Sequence, residues 1–147
     1  AMVAQSVHIE VDARIGALAF IPATSVATSK ARKMLPESIA HSDAVRNSSN
    51  AALLVHALAQ RPDLLHTATQ DFLHQSYRKE AMPQSFALLT KLRNAGVAAF
   101  ISGAGPTVLV LHTGGPSEAE ELRRAAGDKF ITTELGIART GASLISA

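Results

Sequence analysis

Cysteine and tryptophan are absent from the 147 residues, and aromatics make up only 4%. Without cysteine there is no disulfide framework and no thiolate metal site, and a reducing compartment, the cytoplasm, is the expected location. The shortage of aromatics leaves Ala, Leu, Val and Ile to build the core. It also counts against nucleic-acid binding, because base stacking on strands would have only Phe20 and Phe100 to use. Long apolar runs are lacking too. The longest, Val97 to Leu111, is broken by Gly, Ser and Pro, which excludes a spanning helix there and gives no reason to expect a membrane partner. Charge of one sign is not concentrated. The formal net charge is +2, and the densest basic spots, Lys30 to Lys33 and Arg123-Arg124, form no stripe that would track a phosphate backbone.

What is present is 47% hydrophobic and 18% charged residues, the balance of one globular domain with a real core. Val7, Ile9 and Val11 alternate with His8, Glu10 and Asp12, the period of a half-buried strand. Gly16 to Ile21 is continuously apolar, as a central strand is. TSKARKMLP contains a short helix that Thr28 or Ser29 would cap and Pro36 would end. From Ser42 to Gln60 a long helix is expected, with Ser42 or Asp43 as its cap and Val45, Ser49, Ala52, Leu53 and His56 on its inner stripe. Two further helical stretches follow, Leu64 to Tyr77 and Gln84 to Asn94, the latter closed at Gly96. Strand, loop and strand occupy Val97 to Leu111. PSEAEELRRAA then opens with proline and acidic residues and ends with basic ones, matching the helix dipole. Weak strand signals at Ile137-Ala138 and Ala142 to Ile145 close the chain. The order β, helices, β, β, α, β is that of an α+β, ferredoxin-like split βαβ sandwich with inserted helices, its helices expected on one face of the sheet.

Four stretches carry polar chemistry. Ser102-Gly103-Ala104-Gly105-Pro106-Thr107 joins two apolar strands. Its glycines permit positive φ and close backbone approach, so the loop is either a tight connection or a set of amides aimed at an anion. It is no Walker A loop, since no Gly-Lys-Ser/Thr ends it and a strand follows. Thr28 and Arg32 stand one helical turn apart and could grip a carboxylate or phosphate, or could be a cap and a solvated cation. His74-Gln75-Ser76-Tyr77-Arg78, with Asp71 just upstream, offers another guanidinium fork, which packing and snorkelling would equally explain. His41 to Asn47 reads as ordinary helix capping. The six histidines, at 8, 41, 56, 66, 74 and 112, make no HxxxH or HExxH pair, so no metal site is expected. Nothing of the GxSxG type supports a hydrolytic triad.

Taken together, these stretches resemble a known family. FISGAGPTVLVL is similar to the C-terminal glycine motif of the GHMP kinases, the galacto-, homoserine, mevalonate and phosphomevalonate kinases. TSKARKMLP, HSDAVRNSSNAALLVHAL and DFLHQSYRKEAMP, in that order, resemble the homoserine kinase branch. The resemblance implies transfer of the γ-phosphoryl of ATP to the hydroxyl of L-homoserine, with Mg²⁺, on the route to threonine. It also implies that Arg78 grips the substrate's α-carboxylate and that Arg32 and Thr28 line the same pocket. Ser102, Gly103, Ala104 and Gly105 would sit beside the nucleotide phosphate loop.

Members of that branch carry, ahead of these motifs, a phosphate loop of the PxSxGLGSSAA type, acidic residues for Mg²⁺ and a GHPDN-like stretch. None occurs here. The resemblance therefore implies a C-terminal half: residues 1–15 would hold the last strand of an N-terminal domain and residues 16–147 the C-terminal domain. Such a half is expected to be inactive alone, with no catalytic residue of its own, and to expose an apolar face that favours a homodimer or other self-association. Two alternatives remain open. One is another GHMP kinase, acting on mevalonate or diphosphocytidyl-methylerythritol. The other is a non-catalytic ferredoxin-like module that binds an amino acid.

Overall fold

The computed structural model describes residues 7–138. Its centre is a four-stranded antiparallel sheet of β1 (Gly16–Pro22), β2 (Ala98–Ile101), β3 (Val108–His112) and β4 (Phe130–Leu135), in the order β2-β3-β1-β4. Between β1 and β2 lie α1 (Thr28–Lys33), α2 (His41–Ala59), the short α3 (Leu65–Ala68) and α4 (Pro83–Asn94). Between β3 and β4 lies α5 (Gly115–Ala126). This is the split βαβ arrangement with extra helices in its first crossover. β1 is apolar throughout because it is a central strand, pairing Leu18 with Val110 on one side and with Glu134 on the other.

Side chains alternate across the strands, so the sheet has two apolar faces. Leu18, Phe20, Ala99, Ile101, Val108 and Val110 meet Leu88, Leu89 and Leu92 of α4 and Ala119 and Leu122 of α5. The opposite face carries Ala98 and Leu111, covered by Ala57 of α2 and by Leu65 and Ala68 of α3. Helices thus lie on both faces rather than one. The second layer reaches only the β2–β3 half. On the β1–β4 half, the register partners Ile21 and Ile131 and the nearby Leu135 stay exposed, at 39%, 69% and 40%. No described helix is long and apolar enough to cross a membrane.

Several local expectations are corrected. Residues 7–12 form no strand: no described strand lies alongside them, and Val7 and Ile9 are exposed. Instead the Asp12 carboxylate accepts from the Arg14 amide and guanidinium, closing a turn, while the Asp12 amide donates to Leu58 O at 2.8 Å. Among the described residues no side chain caps α1 or α2, whose N-caps are Ala27 and Ala40. On α2 the buried stripe runs through Leu54, Ala57 and Leu58. Of the expected residues only Leu53 packs, and Val45, Ser49, Ala52 and His56 face outward.

The stretch from 64 to 77 is not one helix. It breaks after Ala68 and resumes as a 3₁₀ segment, Ser76–Ala81. The cause is local: Asp71 takes the amides of Leu73, His74 and Gln75, which competes with helical pairing. The fourth strand is β4, ahead of the weak signals: Ile137-Ala138 has no regular structure, and Ala142 to Ile145 lies outside the described residues. FITTEL is an edge strand with alternating exposure, so it lacks the apolar run of a central strand.

Candidate substrate cleft

A cleft of about 550 Å³ opens where α1, α2, the 68–78 segment and the end of β2 converge. Thr28, Arg32 and Arg78 all line it, together with Gly103 and Ala104 of the glycine loop. Residues separated by up to 76 positions in the chain are thereby brought to one wall (104 minus 28). Ser102 and Gly105 belong to the same loop but do not line the cleft.

The two arginines differ in their surroundings. Arg32 is exposed on α1, and its guanidinium has no hydrogen-bonding partner among the described residues. Arg78 is only 9% exposed. Its Nε donates to Ala31 O at 3.3 Å and its Nη1 donates to Gly103 O at 3.0 Å. The guanidinium is therefore a strut from α1 to the glycine loop. Of its five donors, three have no partner among the described residues, enough to receive a carboxylate at the cleft.

The loop owes its glycines to conformation and to packing. Gly103 and Gly105 adopt positive φ, 57° and 86°. A Cβ on Gly105 would lie 2.6 Å from Met82 Cε and 3.1 Å from Ile101 Cγ2, so the backbone rests directly on Met82. Gly103 has open space where a Cβ would go. Ser102 N donates to Thr107 O and Gly105 N to Ser102 O. The amides of Gly103 and Ala104 have no partner among the described residues, which suits them to an anion.

Further polar residues, among them Asn50, which no sequence motif singled out, complete the far wall. Asn47 Oδ1 accepts from Phe72 N at 3.1 Å, and Asn50 Nδ2 donates to Gln70 O at 3.1 Å. These two asparagines, one turn apart on α2, hold the irregular segment against the helix. Asp71 accepts three backbone amides and pairs with His74 Nδ1 at 2.9 Å. Burial alone would raise the Asp71 carboxyl, but the Gln75 amide and the His74 side chain outweigh it and hold the group below its ordinary range. The buried Gln75 places Oε1 2.7 Å from Ile101 N. Behind them Arg93 donates to Ala99 O, His66 O and Thr69 Oγ1, tying α3 and α4 to β2. Burial lowers the Arg93 guanidinium from its ordinary value.

The fold defines a domain of the ferredoxin-like α+β class, and its cleft has cationic residues on one wall and a glycine loop at its edge. Comparison with known proteins narrows this further. The family profile described as GHMP kinases C terminal matches residues 50–132, more than half of the chain, and the chain belongs to that family. It is 44% identical over 142 residues to the homoserine kinase of Streptomyces avermitilis, covering 97% of this chain and 46% of that protein. Over 97 residues it is 53% identical to the homoserine kinase of Leifsonia xyli subsp. xyli, covering 66% of this chain and 30% of that protein. The crystal structure of a homoserine kinase from Cytophaga hutchinsonii superposes with a TM-score of 0.77 at 26% identity, over 88% of this chain and 43% of that one. The chain spans less than half the length of these relatives.

Proposed function

We propose that this chain forms the substrate-carboxylate side of an ATP-dependent homoserine kinase, which transfers the γ-phosphoryl of ATP to the hydroxyl of L-homoserine. The observation that carries the reading is the convergence of Thr28, Arg32 and Arg78 on one cleft whose rim is Gly103-Ala104. In this reading Arg32 and the free donors of Arg78 fork the α-carboxylate, and Thr28 adds a hydroxyl. The substrate is thereby held by its amino-acid end. Phosphoryl transfer is mostly positioning and charge neutralisation, and positioning is the part these residues supply.

The unpaired amides of Gly103 and Ala104 fit a neighbouring phosphate, so ATP suits this rim as far as the chain provides for it. Mg²⁺ finds no such support, because no group of three His, Asp or Glu among the described residues is placed to hold a metal ion. ATP as substrate accords with the cytoplasm as location. The exposed Ile21, Ile131 and Leu135 support self-association.

The test is a coupled ADP-release assay on the full-length protein, with Mg-ATP and L-homoserine, mevalonate or galactose, and with the 147-residue chain as control. Turnover with homoserine alone, and only in the longer protein, is the expected result. Turnover with mevalonate would move the reading to another GHMP branch. No turnover, together with direct amino-acid binding by this chain, would leave a binding module.

A further inference from the structure

The segment that carries Arg78 grips the glycine loop at three successive points. Gln75 Oε1 accepts from Ile101 N at 2.7 Å, Arg78 Nη1 donates to Gly103 O at 3.0 Å, and Met82 lies under Gly105. The segment itself is fixed by Asp71, which takes the Gln75 amide at 2.6 Å, and by Asn47 and Asn50 from α2. Ile101 is the last residue of β2. Its amide is therefore the point at which the strand hands over to the loop, and it is satisfied by a side chain. Gln75 is only 8% exposed and lines the cleft.

A bond this buried has no competing water and fixes the loop's starting height directly. Arg78, three residues further along the segment, holds the same loop two residues further on, at Gly103. The wall that receives the carboxylate and the rim that faces the phosphates are thus one mechanical unit. Its joint is the carboxamide oxygen of Gln75, which accepts from Ile101 N.

We propose that Gln75 is a positioning residue for phosphoryl transfer: acting through Ile101 N–H, it sets the glycine loop relative to the carboxylate-binding Arg78. The proposal rests on the kinase reading above. Gln75 does not touch the reacting atoms, and its effect falls on the nucleotide side of the cleft.

The experiment compares Gln75→Leu, Gln75→Asn and Gln75→Glu in the full-length protein, by steady-state kinetics and by amide hydrogen exchange at residues 101–105. Leucine removes the acceptor. Asparagine withdraws it by one methylene and serves if the leucine variant does not fold. Both are expected to lower kcat/KM for ATP by about tenfold, the usual size of one lost buried hydrogen bond. KM for homoserine should stay within about threefold. Gln75→Glu keeps an acceptor in reach and should restore most of the loss. Exchange at Ile101 should accelerate in the leucine and asparagine variants only. Unchanged exchange at Ile101, or equal effects on both substrates, would overturn the proposal. If the unmodified protein does not phosphorylate homoserine, the kinase reading falls alone, and the Ile101 exchange still decides whether Gln75 holds the loop.

Discussion

Arg78 donates to the carbonyl oxygens of both Ala31 and Gly103, so one buried guanidinium joins helix α1 to the glycine loop. Arg32, four residues into α1, reaches the same cleft with no such ties. The two arginines are therefore separable by experiment. Arg78→Ala should cost the fold about 1.5–3 kcal/mol and also raise KM for homoserine, because hydrogen bonds made by a buried charged group are lost. Arg32→Ala should raise KM for homoserine by roughly tenfold or more while leaving the melting temperature unchanged. Thermal unfolding beside substrate kinetics checks both. A stable Arg78→Ala variant would refute its role as a strut.

Gly105 combines positive φ with contact against Met82. Gly105→Ala should destabilise by about 1–3 kcal/mol, part from the left-handed backbone and part from the clash. Met82→Ala is itself destabilising because Met82 is buried, so the clash is read as the coupling energy between the two substitutions in a double-mutant cycle. Gly103→Ala, with open space around its Cβ position, should cost about 1 kcal/mol from conformation alone. Denaturant midpoints of the wild type, Gly105→Ala, Met82→Ala, their double variant and Gly103→Ala measure the partition.

His112 sits at the end of β3 with its side chain 4% exposed, and neither ring nitrogen has a hydrogen-bonding partner among the described residues. Glu118 Oε2 lies 3.6 Å from Nδ1, but Gly114 N donates to that oxygen. An unpaired buried polar ring costs stability, so His112→Leu should leave the melting temperature unchanged or raise it. Gly16→Ala should lower it, because the new methyl would meet the imidazole at 2.8 Å. A substantial loss in His112→Leu would show that the ring has a favourable partner in solution.

The Asp71 carboxyl is held below its ordinary value near 3.8 against the opposing effect of burial. A depressed carboxyl contributes stability that is complete above the unfolded value and fades as pH falls through the folded one. The wild-type melting temperature should therefore drop as pH falls from about 5 toward 3. Asp71→Asn should start lower and show a shallower acid slope. Equal slopes would assign the acid limb to other carboxyls, among them Asp12, which Arg14 holds down at about 2.

Much of this was legible from local pattern. β1 and β3 announce themselves by continuous apolar residues, α4 by the Gly96 that ends it, and α5 by the charge order along PSEAEELRRAA. What misled were places where polar residues face inward. On α2, Asn47 and Asn50 turn toward the protein because they pair with the backbone of residues 70 and 72. Val45, at 50% exposure, turns away, so hydropathy assigns the wrong stripe. The helix expected through Tyr77 fails for a related reason: Asp71 captures three amides that an uninterrupted helix would use. β4 was missed because an edge strand with one open face has no apolar run to display.

By itself the sequence determined the alternation of strands and helices, the loop that needs glycine, and the residue types able to bind a carboxylate. Those depend on φ/ψ preference and hydrophobic period, which act over a few neighbours. Only the tertiary structure decided that Thr28, Arg32 and Arg78 share a wall with Gly103, and that Arg78 and Gln75 hold the loop they face. The crossover through four helices sets that meeting. It is fixed by which faces bury and which amides find partners, and no window of adjacent residues contains that information.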